Sequence, residues 1–200
     1  MPPERVVRWF TNFGTRHGEP EYAVESGRLA AVATDGCSAW AALPFGTAYD
    51  GPAEPEAFAG AVTSPARWGV LLVRKGGFAV ATVEAGRISE SKVGRRHVQG
   101  RTKAGGQSQQ RFARRRDNQA RQANEAAADH AARVLVGATL LVCGGDRQAV
   151  EQVLEDSRLQ RLRDLRVEPW LPVPDPRRAV LEQAVVDGGS VSITILDEPR

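Results

Sequence analysis

Short apolar-rich segments separated by turn residues fill most of the first sixty-odd positions of this chain. After an N-terminal stretch that reads as a brief helix, Glu21–Glu25, Leu29–Thr34 and Ala39–Leu43 are apolar-rich segments punctuated by Gly27 and by Asp35–Gly36. Pro44–Pro55 (PFGTAYDGPAEP) is dense in glycine and proline and reads as a loop or boundary. Trp68–Val73 (WGVLLV) is a continuous apolar run, the pattern of a strand covered on both faces. A turn signal at Lys75–Gly76–Gly77 leads into a second strand from Phe78 to Val83, and Gly86 precedes a more polar third from Ile88 to about Gln99. These three predict an antiparallel meander.

From about Ser108 to Val136 the period changes to that of a long helix. At ~100° per residue, Phe112, Ala120, Ala123, Ala127, Ala131 and Val134 share one face, and Arg111, Arg115, Asn118 and Gln122 the other. Arg116 falls inside the apolar sector, where its stem can snorkel or be held rigidly by packing. Thr139–Cys143 predicts a strand and Gly144–Gly145 a turn, with Asp146 as N-cap of a helix over Arg147–Gln160. Gly144–Gly145–Asp146 is read as turn plus cap rather than as a phosphate cradle. A short strand around Val167–Leu171 enters a proline-rich turn, and Asp175–Pro176 predicts the start of a helix running to about Val186. Val191–Leu196 (VSITIL) is a final apolar strand or tail, and no repeat is visible. The order predicts an α/β (α+β) fold: a mixed sheet made of the meander plus further strands, with packed helices. Two regions are expected, a β-rich extension over residues 1–66 and a main domain over 67–200. Trp40, Trp68 and Trp170 are expected to pack in or against the core.

Composition changes this picture little. The 200 residues are 42% hydrophobic and 26% charged, close to globular averages. MPPERVVRWF lacks the apolar region of a signal peptide, so secretion is not expected. The longest apolar stretch, Val134–Cys143, is about half the ~20 residues of a membrane helix. Cys37 and Cys143 have no CxxC partner, and with His17, His97 and His130 they show no zinc-ligand spacing. Free buried thiols, structural histidines, no metal, no cofactor and a cytoplasmic setting are expected.

Charge changes it more. The net charge is +3, from 27 Lys/Arg and 24 Asp/Glu. Yet Ser91–Arg121 holds ten basic residues (Lys92, Arg95, Arg96, Arg101, Lys103, Arg111, Arg114, Arg115, Arg116 and Arg121) against the single acid Asp117. That window carries +9 and the remainder −6. A segment so basic calls for an anionic partner. Arginine, with its planar fork of donors, suits phosphate. No recognition-helix motif surrounds the run, so DNA is not expected.

Gly105–Gly106–Gln107 lies at the centre of this segment, where the expected loop meets the expected helix. A glycine pair lets main-chain N–H groups approach a ligand closely. Glutamine is not a general base, but it can hold a water, and its N–H can stabilise charge on an attacked oxygen. The positive end of a helix dipole would add to that.

The run Gly105–Arg116 (GGQSQQRFARRR), preceded by His97–Lys103 (HVQGRTK), resembles the catalytic middle domain of eukaryotic and archaeal class-1 translation release factors. The similarity covers roughly Trp68 to Val186. The chain has no room for the codon-reading and GTPase-binding domains of those factors. A stand-alone domain of this kind is similar to the Vms-like release factors of actinobacteria and chloroflexi, relatives of a eukaryotic ribosome-quality-control factor. That factor carries zinc-finger and ankyrin regions absent here and commonly has GSQ at the triplet.

The resemblance implies an RNase H-like sheet and a codon-independent peptidyl-tRNA hydrolase. Gly105, Gly106 and Gln107 would be its catalytic residues, releasing nascent chains on stalled or obstructed ribosomes. It implies contacts to ribosomal RNA of the large subunit and to tRNA through Arg95, Arg96, Arg101, Lys103, Arg111, Arg114, Arg115, Arg116 and Arg121, by a monomer. Two alternatives remain open: cleavage of the tRNA 3′ CCA end, and non-catalytic binding of rRNA or tRNA.

Overall fold

The computed structural model describes residues 1–74, 77–95, 121–122 and 124–197. They divide into two compact units. Met1–Ser64 with Val186–Arg200 form one, and Pro65–Val185 the other.

In the first unit, α1 (Val6–His17) is amphipathic, with Val6, Phe10 and Phe13 buried. It packs on a four-stranded antiparallel sheet in the order β1-β2-β3-β9, formed by β1 (Glu21–Glu25), β2 (Arg28–Val32), β3 (Ser38–Ala42) and β9 (Ser192–Leu196). The short helix α2 (Pro55–Gly60) buries Phe58 and adds a second helix to a region where only the N-terminal one was expected. The core gathers Val6, Phe10, Phe13, Leu29, Ala31, Ala39, Ala41, Tyr49, Phe58 and Val191. Cys37 lies there as a buried free thiol, pushed above the usual range by burial.

The segment VSITIL was expected within residues 67–200. As β9 it instead pairs along the whole of β3, from Ser38 opposite Leu196 to Ala42 opposite Ser192. The reason is the free edge of β3 and a matching pleat. Ile193 and Ile195 fall opposite Ala41 and Ala39, and Ile193 packs against this core. Residues 186–200 therefore cluster with the N-terminal unit.

The second unit is built on a five-stranded mixed sheet in the order β6-β5-β4-β7-β8. The meander is as expected: β4 (Arg67–Arg74), β5 (Gly77–Glu84) and β6 (Arg87–Arg95) are antiparallel neighbours. β7 (Leu141–Gly145) and β8 (Arg166–Leu171) add parallel to β4. Each long apolar run is buried on both faces: Trp68, Val70 and Leu72 on one, Leu71 and Val73 on the other. Helical residues 121–122 and 124–134 (α3, from 124) lie over the second of these faces. There Ala127, Ala131 and Val134 are fully buried, as their spacing predicts, together with Ala128 and Leu135.

Gly69 makes that contact close. A Cβ there would come within 2.7 Å of Leu135 Cδ2. Beside it the Thr82 hydroxyl, fully buried on β5, donates to the Val134 carbonyl in the last turn of α3.

Three local expectations need correcting. Gly144 and Gly145 belong to β7 rather than to a turn, and Asp146 follows directly as the N-cap of α4 (Arg147–Leu154), accepting from the Ala149 N–H at 3.2 Å. The helix expected over Arg147–Gln160 is broken. Asp156 accepts from the Arg158 N–H at 2.9 Å and binds its guanidinium through both oxygens, a local arrangement that competes with helix continuation. A 3-10 turn (Ser157–Leu159) and α5 (Gln160–Asp164) follow. The last helix, α6 (Arg178–Gly188), starts after Asp175–Pro176, with Leu181 N–H bonded to the Arg177 carbonyl. Pro176 is buried near Gly77 at the start of β5 and so serves packing instead of opening the helix.

Candidate nucleic-acid interface

The strand register defines one edge of the five-stranded sheet. Arg74, the last residue of β4, pairs with Gly77, and Gly77 also pairs with Arg95, the last residue of β6. β7 runs parallel to β4 and ends at Gly145 opposite Val73, while Leu171, the end of β8, aligns with Gly144. Four of the five strands thus finish at the same edge.

Helix α3 runs away from that edge. His130 stacks on Phe78, one residue from the edge, with ring centroids 5.6 Å apart, and Val134 meets Thr82 four residues deeper. Asn124, near the described start of the helix, donates to Gln152 of α4 at 2.7 Å. The chain therefore leaves β6 at Arg95 and re-enters the described structure at residue 121, with both ends directed to one edge.

Of the twelve candidate residues, the structure describes two. Arg95 ends β6 and Arg121 lies at the start of the described helix, and both side chains are exposed. Gly105, Gly106, Gln107, Arg96, Arg101, Lys103, Arg111, Arg114, Arg115 and Arg116 lie outside the described residues, as does His97.

The same edge holds cationic groups that sequence reasoning missed. Arg74 is exposed and donates from Nη1 to the Val173 carbonyl at 2.8 Å. Arg147, the first residue of α4, lays its guanidinium 4.4 Å from the Trp170 ring centroid. Trp170 Nε1 in turn donates to the Gly145 carbonyl at 3.3 Å. No local signal marks these residues, because Arg74, Arg147 and Trp170 are far apart in sequence and only the parallel alignment of β4, β7 and β8 gathers them. With Arg95 they form a rim of planar cations suited to phosphate contacts, which position a nucleic acid without reading its sequence.

The Cys143 thiol, next to the end of β7, is pushed up to about 12 by burial and is no nucleophile near neutral pH. His130 is half-buried against Phe78, a packing role, and His17 in the first unit hydrogen-bonds Asp35 through Nδ1 at 2.9 Å. Among the described residues no group of three His, Cys, Asp or Glu could hold a metal ion, and no helix is long and apolar enough to cross a membrane.

No curated protein sequence matches the chain. Among solved structures, an archaeal translation termination factor, aRF1, is 16% identical with a TM-score of 0.41, covering 64% of this chain. The chain spans only 35% of that factor's length. A structure titled Vms1 mitochondrial localization core is 12% identical over 88% of this chain and 78% of its own, with a TM-score of 0.48. Pelota from Archaeoglobus fulgidus is 9% identical over 83% of this chain and 56% of its own, with a TM-score of 0.31. The sequence itself is more decisive: residues 66–194 match the model of the Actinobacteria/chloroflexi VLRF1 release factor, and the chain belongs to that family.

Proposed function

We propose that this protein is a ribosome-associated peptidyl-tRNA hydrolase that frees nascent chains from tRNA on stalled or obstructed ribosomes, independently of a codon. The observation that carries the reading is the family match over residues 66–194, a span that includes Gly105–Gly106–Gln107 within the +9 segment. The exposed Arg74 and Arg147 beside Arg95 support it, since they add cations from outside that run of sequence. The strand order β6-β5-β4-β7-β8 supports an RNase H-like reading of the sheet.

In this proposal the substrate is the ester joining the nascent chain to the terminal adenosine of tRNA. Gln107 orders a water for attack on the ester carbonyl, and its main-chain N–H stabilises the developing oxyanion. The glutamine amide does not titrate, so proton transfer falls to the ribose hydroxyl and RNA groups. The rate then comes from positioning and preorganised dipoles. Arg96, Arg101, Lys103, Arg111, Arg114, Arg115, Arg116 and Arg121 hold the segment against rRNA and the tRNA acceptor end by phosphate contacts. A cytoplasmic monomer working without a cofactor completes the reading.

The test is incubation with large subunits carrying peptidyl-tRNA, with peptide and tRNA ends both analysed. Gln107→Ala is expected to slow release by about a hundredfold or more while ribosome binding persists. Release unaffected by that substitution overturns the proposal. A shortened tRNA 3′ end in place of an intact CCA would show nucleolytic cleavage instead of ester hydrolysis.

A further inference from the structure

The first unit carries a site of its own. Trp9, Phe13 and His17 recur every four residues on α1, and their rings form a ladder. Trp9 stacks on Phe13 at 5.5 Å and 15°, and Phe13 meets His17 at 4.9 Å and 36°. On the neighbouring stripe, also at spacings of four, lie Arg8, Asn12 and Arg16, all exposed. A groove of about 260 Å³ opens there, lined by Trp9, Asn12, Phe13, Arg16, His17 and Ile195 of β9. It falls just below the ~300–1,000 Å³ typical of small-ligand sites, which favours one compact planar group over an extended segment.

Three features of this groove bear on a ligand. Ile195 is an aliphatic side chain on an edge strand, yet it is 53% exposed at the groove. Among the described residues, neither Arg8 nor Arg16 has an ion-pair partner, and α1 contains no acid. The Asp35 carboxylate at the end of the ladder is committed to His17 Nδ1 and to the Cys37 N–H, both at 2.9 Å.

We infer that this groove binds one nucleotide of single-stranded RNA, with the base against Trp9 and Ile195, its edge within reach of the Asn12 amide, and the adjoining phosphate on Arg16. A flat aromatic face beside an unpaired guanidinium and a side-chain amide is the combination by which proteins hold unpaired bases. The charge is complementary, since a cationic helix face without acids meets an anionic backbone. An acidic peptide would use the arginines but would gain little from the ring ladder. The inference goes beyond peptide release and needs no catalytic residue.

The test is photocrosslinking of the full chain to single-stranded RNA containing 4-thiouridine, with crosslinked peptides mapped by mass spectrometry. Crosslinks are expected within Trp9–His17, in addition to any in the basic segment around residues 101–121. Loss of one stacked base weakens binding roughly 5- to 150-fold. Trp9→Ala is therefore expected to remove the crosslinks to α1, and Trp9→Phe to retain most of them. Arg16→Glu, at an exposed position where folding is not at stake, is expected to reduce them about tenfold while leaving crosslinks at 101–121 unchanged. RNA that crosslinks at 101–121 and never at α1 overturns the inference. So do α1 crosslinks insensitive to Arg16→Glu, or protection of Arg16 by an acidic peptide where RNA gives none. Each outcome is read independently of peptide release and of Gln107.

Discussion

Replacing Thr82 by valine tests how the helix that follows the basic segment is held. Valine has nearly the shape of threonine and suits a strand, so the change deletes one hydroxyl without opening a cavity. In the folded protein that hydroxyl is fully buried and donates to the Val134 carbonyl, one of the last four of α3 that lack partners inside the helix. Val134 is itself fully buried, and Leu135 packs over Gly69 next to it, so water is a poor substitute. Leaving a buried acceptor unsatisfied costs about 1–3 kcal/mol. For a unit of this size, a cost near the middle of that range lowers the melting temperature by roughly 5–10 °C. Thermal unfolding followed by circular dichroism reads the shift. In the proposed reaction, peptide release assayed well below the transition should stay within about twofold of wild type, because the contacts of Asn124, His130 and Leu135 still hold the helix. A melting temperature unchanged by Thr82→Val would refute the reasoning, showing that the Val134 carbonyl finds another partner at no cost.

Two residues of β7, Cys143 and Gly145, carry the remaining predictions. Cys143 is expected to resist alkylation in the folded state and to react only on unfolding, since burial holds its thiol at about 12. Its raised folded value gives stability that is fully present below the ordinary thiol value of ~8.5 and is lost as pH rises toward 12, so wild type should lose more stability between pH 8 and 11 than Cys143→Ala. Equal losses would contradict this. Gly145→Ala places a Cβ 2.2 Å from the Val73 carbonyl at a residue with φ of +93°. The left-handed backbone alone costs roughly 1–2 kcal/mol, and relieving the contact must shift the junction where β7 meets Val73 and Asp146. A clear fall in the unfolding midpoint is expected, and in the proposed reading weaker RNA binding at the Arg74–Arg147 rim; unchanged stability would count against the geometry.

Local patterns reveal much of this fold because its elements are held by short-range rules. The glycine-punctuated hairpins, the two-sided apolar run of Trp68–Val73 and the Asp146 cap all appear in the structure near where spacing places them. Departures arise where a distant or competing partner decides. VSITIL reads as a strand, but nothing within it says that the edge it completes belongs to β3. The segment Arg147–Gln160 has good helical spacing, yet the Asp156 carboxylate offers the Arg158 N–H and guanidinium a local alternative that ends the helix early. The rim was hidden for the first of these reasons. The charge run at residues 91–121 stands out because its members are neighbours in sequence, whereas Arg74, Arg147 and Trp170 become neighbours only through strand pairing.

That difference bears on how the proposed chemistry is supported. Gln107 brings no titratable group, so in this reading its contribution depends on where it is held rather than on its ionisation. Positioning of that kind must come from the points at which the segment joins the fold. At one end is Arg95, fixed by its pairing with Gly77. At the other is α3, fixed by four contacts of different kinds: Asn124 with Gln152, His130 with Phe78, Thr82 with Val134, and Leu135 over Gly69. None of these side chains need touch RNA, and none belongs to the basic run. In the proposed reading a sequence motif names the reacting residue, while the residues that would aim it lie on β5, β4 and α4 and carry no mark of that role in their own spacing.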